Sequence, residues 1–226
     1  MAEAKAWRVP EEGLWGFAHC AFYDSWYPWS NSGFAERLRM LVMDLLESGA
    51  NSFRPQLHWH QVQETVPHGL RSPGDVSDEM VDRLARGEGA RWELYDSMVD
   101  SLIAAGMVPH LVLGAAYDFQ IPSTSQGGCS DRARPDVIGM DSYLGQLYLH
   151  ARAAARRYRG RVRIWQLENE LNCAGETMLL AGWRTGRAWL DSGFLTSVIE
   201  VLSRAVREED PGALTSHNFH TQWRVL

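Results

Sequence analysis

The stretch "RVRIWQLENELN", residues 161–172, runs as an apolar strand and ends in carboxylates and amides: Glu168, Asn169, Glu170 and Asn172. A glutamate at the tip of a buried strand can give and take a proton, and a neighbouring asparagine can hold a hydroxyl, the pairing that glycoside hydrolysis requires. The same residues also suit the cap of a following helix. A second group is histidine: His58 and His60 form a His-x-His pair at an expected strand end, where alternation points both to one face, and with His217 and His220 they could hold the metal of a barrel hydrolase. Hydrogen-bonded histidines without metal are the plainer reading, and no metal or other cofactor is expected. Trp26, Trp29, Trp59 and Trp223 lie in segments that follow strands, where an indole either packs or stacks on a sugar face.

These residues need a scaffold, and the chain repeats one alternation. Strands are expected near 15–21, 51–57, 108–113, 162–167 and 213–217, and amphipathic helices near 34–48, 91–105, 141–159 and 190–209. Apolar strands separated by such helices imply an α/β fold with a parallel sheet covered by helices. The segments after the strands, 24–33, 58–89, 114–135 and 168–185, are long and polar or aromatic, whereas the turns entering the strands ("ESGA", "AAGM", "EEDPGA") are short. That asymmetry fits a (β/α)8 TIM barrel, whose functional loops follow the C-terminal strand ends. No glycine-rich phosphate loop follows the first strand, which argues against a dinucleotide-binding sheet.

Bulk properties limit the partners. The 226 residues, 45% of them hydrophobic, are enough for one domain, taken as 1–226. A formal net charge of -6 argues against a nucleic-acid surface, and neutral or weakly charged partners fit better. Cys20, Cys129 and Cys173 form no metal or disulfide pattern and are expected as reduced thiols. The opening lacks an apolar signal segment, and the most apolar window is broken by Pro109 and His110, so a cytoplasmic protein without a membrane span is expected.

"IWQLENELN" resembles the fourth-strand signature of clan A glycoside hydrolases, in which a Trp stands five residues before a catalytic Glu and an Asn immediately precedes it. Trp165, Asn169 and Glu170 match those positions, although Leu171 stands where most members have Pro. "SGANSFRPQLHWHQVQ" (48–63) resembles the clan's second-strand pattern, with Arg54 at the position of the arginine that hydrogen-bonds the nucleophile and Trp59 at the matching tryptophan. "WELYDSMVDSLIAAGMVPHLVL" and "REEDPGALTSHNFH" resemble the second helix with third strand and the fourth helix with fifth strand. The resemblance implies a retaining β-glycosidase acting on a carbohydrate, with Glu170 as acid/base, Asn169 holding a sugar hydroxyl, Arg54 hydrogen-bonding the nucleophile, and His58 or His60, Trp59, His220, Trp223 and Trp26 lining sugar subsites.

The resemblance also implies a second glutamate at the end of a seventh strand, and only five strands are expected here. Glu64, Asp118 and Glu176 fall after strands two, three and four, where the clan keeps no nucleophile. The chain is therefore expected to be a fragment of a longer enzyme, or one completed by a chain that supplies the missing half barrel, and to be inactive alone. A noncatalytic carbohydrate-binding remnant is the other expectation.

Overall fold

The apolar face of a strand cannot stand in water, so this sequence must cover it, and it does so with helices. The computed structural model describes residues 8–19, 33–63, 69–113, 135–171 and 187–218. Within them run β1 (Gly16–His19), α1 (Phe34–Glu47), β2 (Ser52–Pro55), α2 (Trp59–Val62), α3 (Asp78–Ala85), α4 (Glu93–Ala104), β3 (Val108–Val112), α5 (Pro135–Ile138), α6 (Met140–Arg157), β4 (Ile164–Gln166), α7 (Ser192–Glu209) and β5 (Leu214–Ser216). The five strands form one sheet in sequence order, every neighbouring pair parallel. This is the expected α/β alternation.

The paired strands are shorter than the apolar runs that announce them. The ladder continues past them as single bonds, Leu57 N–H to the Val112 carbonyl (2.9 Å), Leu113 N–H to Gln166 (2.8 Å) and Leu167 N–H to Ser216 (2.9 Å). Alternation then separates two faces. Phe53, Leu111 and Trp165 are fully buried in the hydrophobic core, with Trp165 against Tyr158 beyond the end of α6. Arg54, His110, Gln166 and Ser216 occupy the alternate positions, on the inner face.

The helical layer is built around α6. Its buried positions run from Tyr143 to Ala155 without a break, because α7, α3 and the 3-10 turn Pro73–Asp75 pack on different sides of it. Two arginines on this helix are held by carboxylates of its neighbours: Arg152 reaches Asp78 (2.6 Å) and Glu209 (2.5 Å), and Arg156 reaches Asp82 (2.6 Å) and Glu209 (2.7 Å). Glu209 is buried, so removing either arginine would leave its charge poorly compensated in a low-dielectric setting.

Two expectations are corrected. The segment 58–89, read as one post-strand loop, contains α2 and α3. Ser77 caps α3, its hydroxyl accepting from Met80 N–H (3.3 Å), Asp78 and Glu79 fill the first turn, and Val81, Leu84 and Ala85 are buried. The last helix begins at Ser192 rather than 190, because Asp191 caps it by accepting from Phe194 N–H (2.9 Å). No described helix is long and apolar enough to cross a membrane.

Gly145, mid-helix in α6, lies so close to the 3-10 turn that an added Cβ would stand 2.6 Å from the Ser72 carbonyl oxygen. Alanine there normally favours a helix, but here the obstacle is backbone. Gly145→Ala should destabilise the protein by about 1–3 kcal/mol, read as a fall in the urea midpoint at unchanged slope.

Candidate active site

Arg54 supplies the long-range contact that builds the site. From β2 its guanidinium passes β3 and meets β4, Nε donating to Gln166 Oε1 (2.5 Å) and a terminal nitrogen to Asn169 Oδ1 (2.6 Å). The arginine is only partly buried, while Gln166 is buried. Gln166 Nε2 donates to the Glu168 carbonyl (2.6 Å) and to Asn218 Oδ1 (2.7 Å), two residues beyond β5. Asn218 Nδ2 returns to Asn169 Oδ1 (3.2 Å), and Asn218 Oδ1 also accepts the Glu170 backbone N–H (3.1 Å). Glu170 has φ of 50°, the left-handed region, alone among described residues other than glycine. Such a conformation costs a side-chain-bearing residue on the order of 1–2 kcal/mol and persists only where surroundings hold it.

Arg54 thus meets Asn169 beyond the C-terminal end of β4, one residue before Glu170. Glu168, by contrast, is 1% exposed, with Oε2 accepting from Asn169 N–H (3.0 Å). It braces the turn that carries Asn169. Beneath this layer, His110 of β3 meets Ser216 Oγ at 3.1 Å. Burial, reinforced by the nearby Arg54 charge, pushes the His110 imidazole down to about 4. Burial also lowers His217, offset in part by its bond to the Glu168 backbone.

Trp59 is a correction. Its side chain is fully buried, its indole N–H donates to Gln63 Oε1 (2.8 Å), and its ring stacks on His150 at 5.4 Å and meets Tyr143 edge-on at 6.0 Å. An indole enclosed on these sides has no face left for a sugar. His58 is buried too, its backbone N–H donating to the Tyr95 hydroxyl (2.9 Å). The chain leaves β2 at Pro55 and turns helical at Trp59, so the backbone over 58–60 is not the strand on which the His-x-His reading relied. Among the described residues no three His, Cys, Asp or Glu side chains converge as metal ligands. Trp26, Trp29, His220, Trp223, Glu64, Asp118, Asn172, Glu176 and the three cysteines lie outside the described residues.

Gln166, Asn218 and His110 were not foreseen as site residues. A signal existed for Gln166: it follows Trp165 in a strand whose tryptophan faces the helices, so its amide must face the other way.

Folding loosens the hold of the His110 imidazole on its proton. The unfolded chain binds this proton near pH 6.5 and the folded chain only near 4, so stability falls as pH drops through that window, by up to about 3 kcal/mol. His217 acts in the same direction. Urea unfolding of wild type and His110→Gln at pH 7, 5.5 and 4.5 should show a shallower loss in the variant.

No family model and no curated protein matches the chain. Solved structures do. Fpglu1 from Fervidobacterium pennivoraus superposes with a TM-score of 0.58 at 15% identity over 85% of this chain and 42% of that one. The β-glycosidase from Thermosphaera aggregans gives 0.56 at 17% identity, over 84% and 44%, and xylanase 10B from Thermotoga petrophila RKU-1 gives 0.52 at 18%, over 91% and 49%. This chain spans less than half the length of each. At such identity the likeness concerns architecture alone: the described sheet and helices have the fold of about half of a glycosidase (β/α)8 barrel.

Proposed function

We propose that this chain forms part of a glycoside hydrolase that cleaves β-linked O-glycosidic bonds with retention, Glu170 serving as acid/base. The observation that carries the reading is the meeting of Arg54 and Asn169 across the inner face, at the tip of the strand that bears Glu170. A cleft of amides, a guanidinium and a neutral imidazole suits a polar, uncharged ligand, and the glycosidase names of the structural neighbours agree with that.

In the proposed reaction a nucleophilic carboxylate attacks the anomeric carbon while protonated Glu170 gives its proton to the departing oxygen. Glu170, now a carboxylate, takes a proton from the water that cleaves the covalent intermediate. Asn169 would hold a hydroxyl of the reacting sugar, and Arg54 would brace the nucleophile. That nucleophile must stand about 5–5.5 Å from the acid/base for retention, and we place it outside the described residues, in a polypeptide supplying further βα units. The 226-residue chain alone should then be inactive.

Such a polypeptide would have surface to cover. β1 is an edge of the sheet, and Trp15 and Phe17 are 62% and 47% exposed there. On α1, Met40, Met43 and Leu46 are exposed, beside a groove of about 530 Å³ between α1 and α4 lined by Phe34, Leu38, Val42 and Ser101. A cytoplasmic setting, with the cysteines reduced, belongs to the same reading.

The test is leaving-group dependence in the catalytically complete protein. Glu170→Gln should lower kcat/KM for alkyl β-glycosides by at least about 1000-fold, yet leave glycosylation by activated aryl glycosides within about tenfold. Equal losses on both would remove Glu170 from the acid/base role.

A further inference from the structure

Arginine donates hydrogen bonds and accepts none, and this imposes a direction on every amide that Arg54 touches. Gln166 must turn its oxygen to Arg54 Nε (2.5 Å), which leaves its Nε2 to donate to Asn218 Oδ1 (2.7 Å). Asn218 then has only Nδ2 to offer Asn169 Oδ1 (3.2 Å), an oxygen that also accepts from Arg54 (2.6 Å). The ring closes, Arg54 to Gln166 to Asn218 to Asn169 and back. In this orientation Asn169 Oδ1 faces the protein, and its Nδ2 makes no hydrogen bond among the described residues.

We propose that Gln166 and Asn218 are positioning residues that act with Arg54, which itself donates to Asn169 Oδ1 (2.6 Å): oriented by the guanidinium, they add their own donors to that oxygen, from Asn218 Nδ2 (3.2 Å) and Gln166 Nε2 (3.5 Å), so that Asn169 presents an N–H donor to substrate and the Glu170 backbone stays in its left-handed conformation. The inference rests on the glycosidase reading for its purpose, though the relay itself is a property of the folded chain. Asn218 serves both halves. Its oxygen holds the Glu170 N–H at 3.1 Å, and its nitrogen sets the Asn169 carboxamide. A donor at Asn169 suits the oxygen of a sugar hydroxyl, or one gathering negative charge; a reversed amide would instead require a donor from the ligand.

Two substitutions separate the halves. Asn218→Asp keeps an oxygen for Glu170 N–H and Gln166 Nε2 but loses the donor to Asn169, whereas Asn218→Ala loses both. In 15N-labelled full chain, Asn218→Asp should shift the two Asn169 side-chain N–H resonances while Glu170 amide exchange changes less than about threefold. Asn218→Ala should also speed Glu170 exchange by at least about tenfold relative to the Trp165 amide of β4. Gln166→Glu, which still accepts from Arg54 but cannot donate to Asn218 while ionised, should move the Asn169 resonances as Asn218→Asp does. A merely structural role would speed the Trp165 and Glu170 amides together and leave the Asn169 resonances in place; that result, or no change in any of these signals, would overturn the relay.

A second arm tests its purpose in the catalytically complete protein, with an aryl β-glycoside and its 2-deoxy counterpart. Asn218→Asp should cut kcat/KM on the first by about 10–100-fold and on the second much less. Equal losses would overturn the donor role of Asn169. Absence of turnover in wild type would instead count against the glycosidase reading, and the resonance data would still decide the relay.

Discussion

A guanidinium has five N–H donors and no acceptor, and the polar layer on the inner face of this sheet is arranged around that one asymmetry. Arg54 leaves β2, crosses β3 and ends among oxygens carried by β4 and the turn beyond it. β2 and β4 are tied together across β3, and the amides beyond take their orientation from the charge. The same charge lies near His110 and, with burial, keeps that imidazole neutral. A cation beside a neutral ring is stable where two cations would repel.

On the other face the constraint is cover. Parallel strands carry apolar residues toward the helices, and α6 is enclosed so fully that even a histidine in its middle, His150, is sandwiched between Trp59 and Trp92. The buried charge in this layer is met by partners, Arg152 and Arg156 both reaching Glu209. At the strand tip, the Glu170 backbone in its costly conformation is met by Asn218 Oδ1, which accepts its N–H. A site built on strand ends inherits the precision of the sheet.

Much of the fold was legible in the sequence because periodicity is a local property. Leu38 and Leu45 of α1, or Met98, Val99 and Leu102 of α4, recur at helical spacing and are buried in the structure. The cap of α3, Ser77 before Asp78 and Glu79, was equally local, and was passed over because the whole of 58–89 was read as one loop. Asn169, Glu170 and Arg54 stood out by type and position. Trp59 did not declare itself, since an indole in a segment after a strand looks the same whether it will face a ligand or, as here, Tyr143 and His150.

What the sequence by itself determined, then, is the order of strands and helices and the placing of amides and carboxylates at the end of β4, because both follow from residues close in the chain. Only the tertiary structure decided which partners those groups have. Arg54 and Asn169 lie 115 residues apart, and Glu170 and Asn218 lie 48 apart. No local pattern pairs them. They meet because parallel strands bring their C-terminal ends to one side of the sheet, and a hydrogen bond depends on that distance in space, which separation along the chain does not encode.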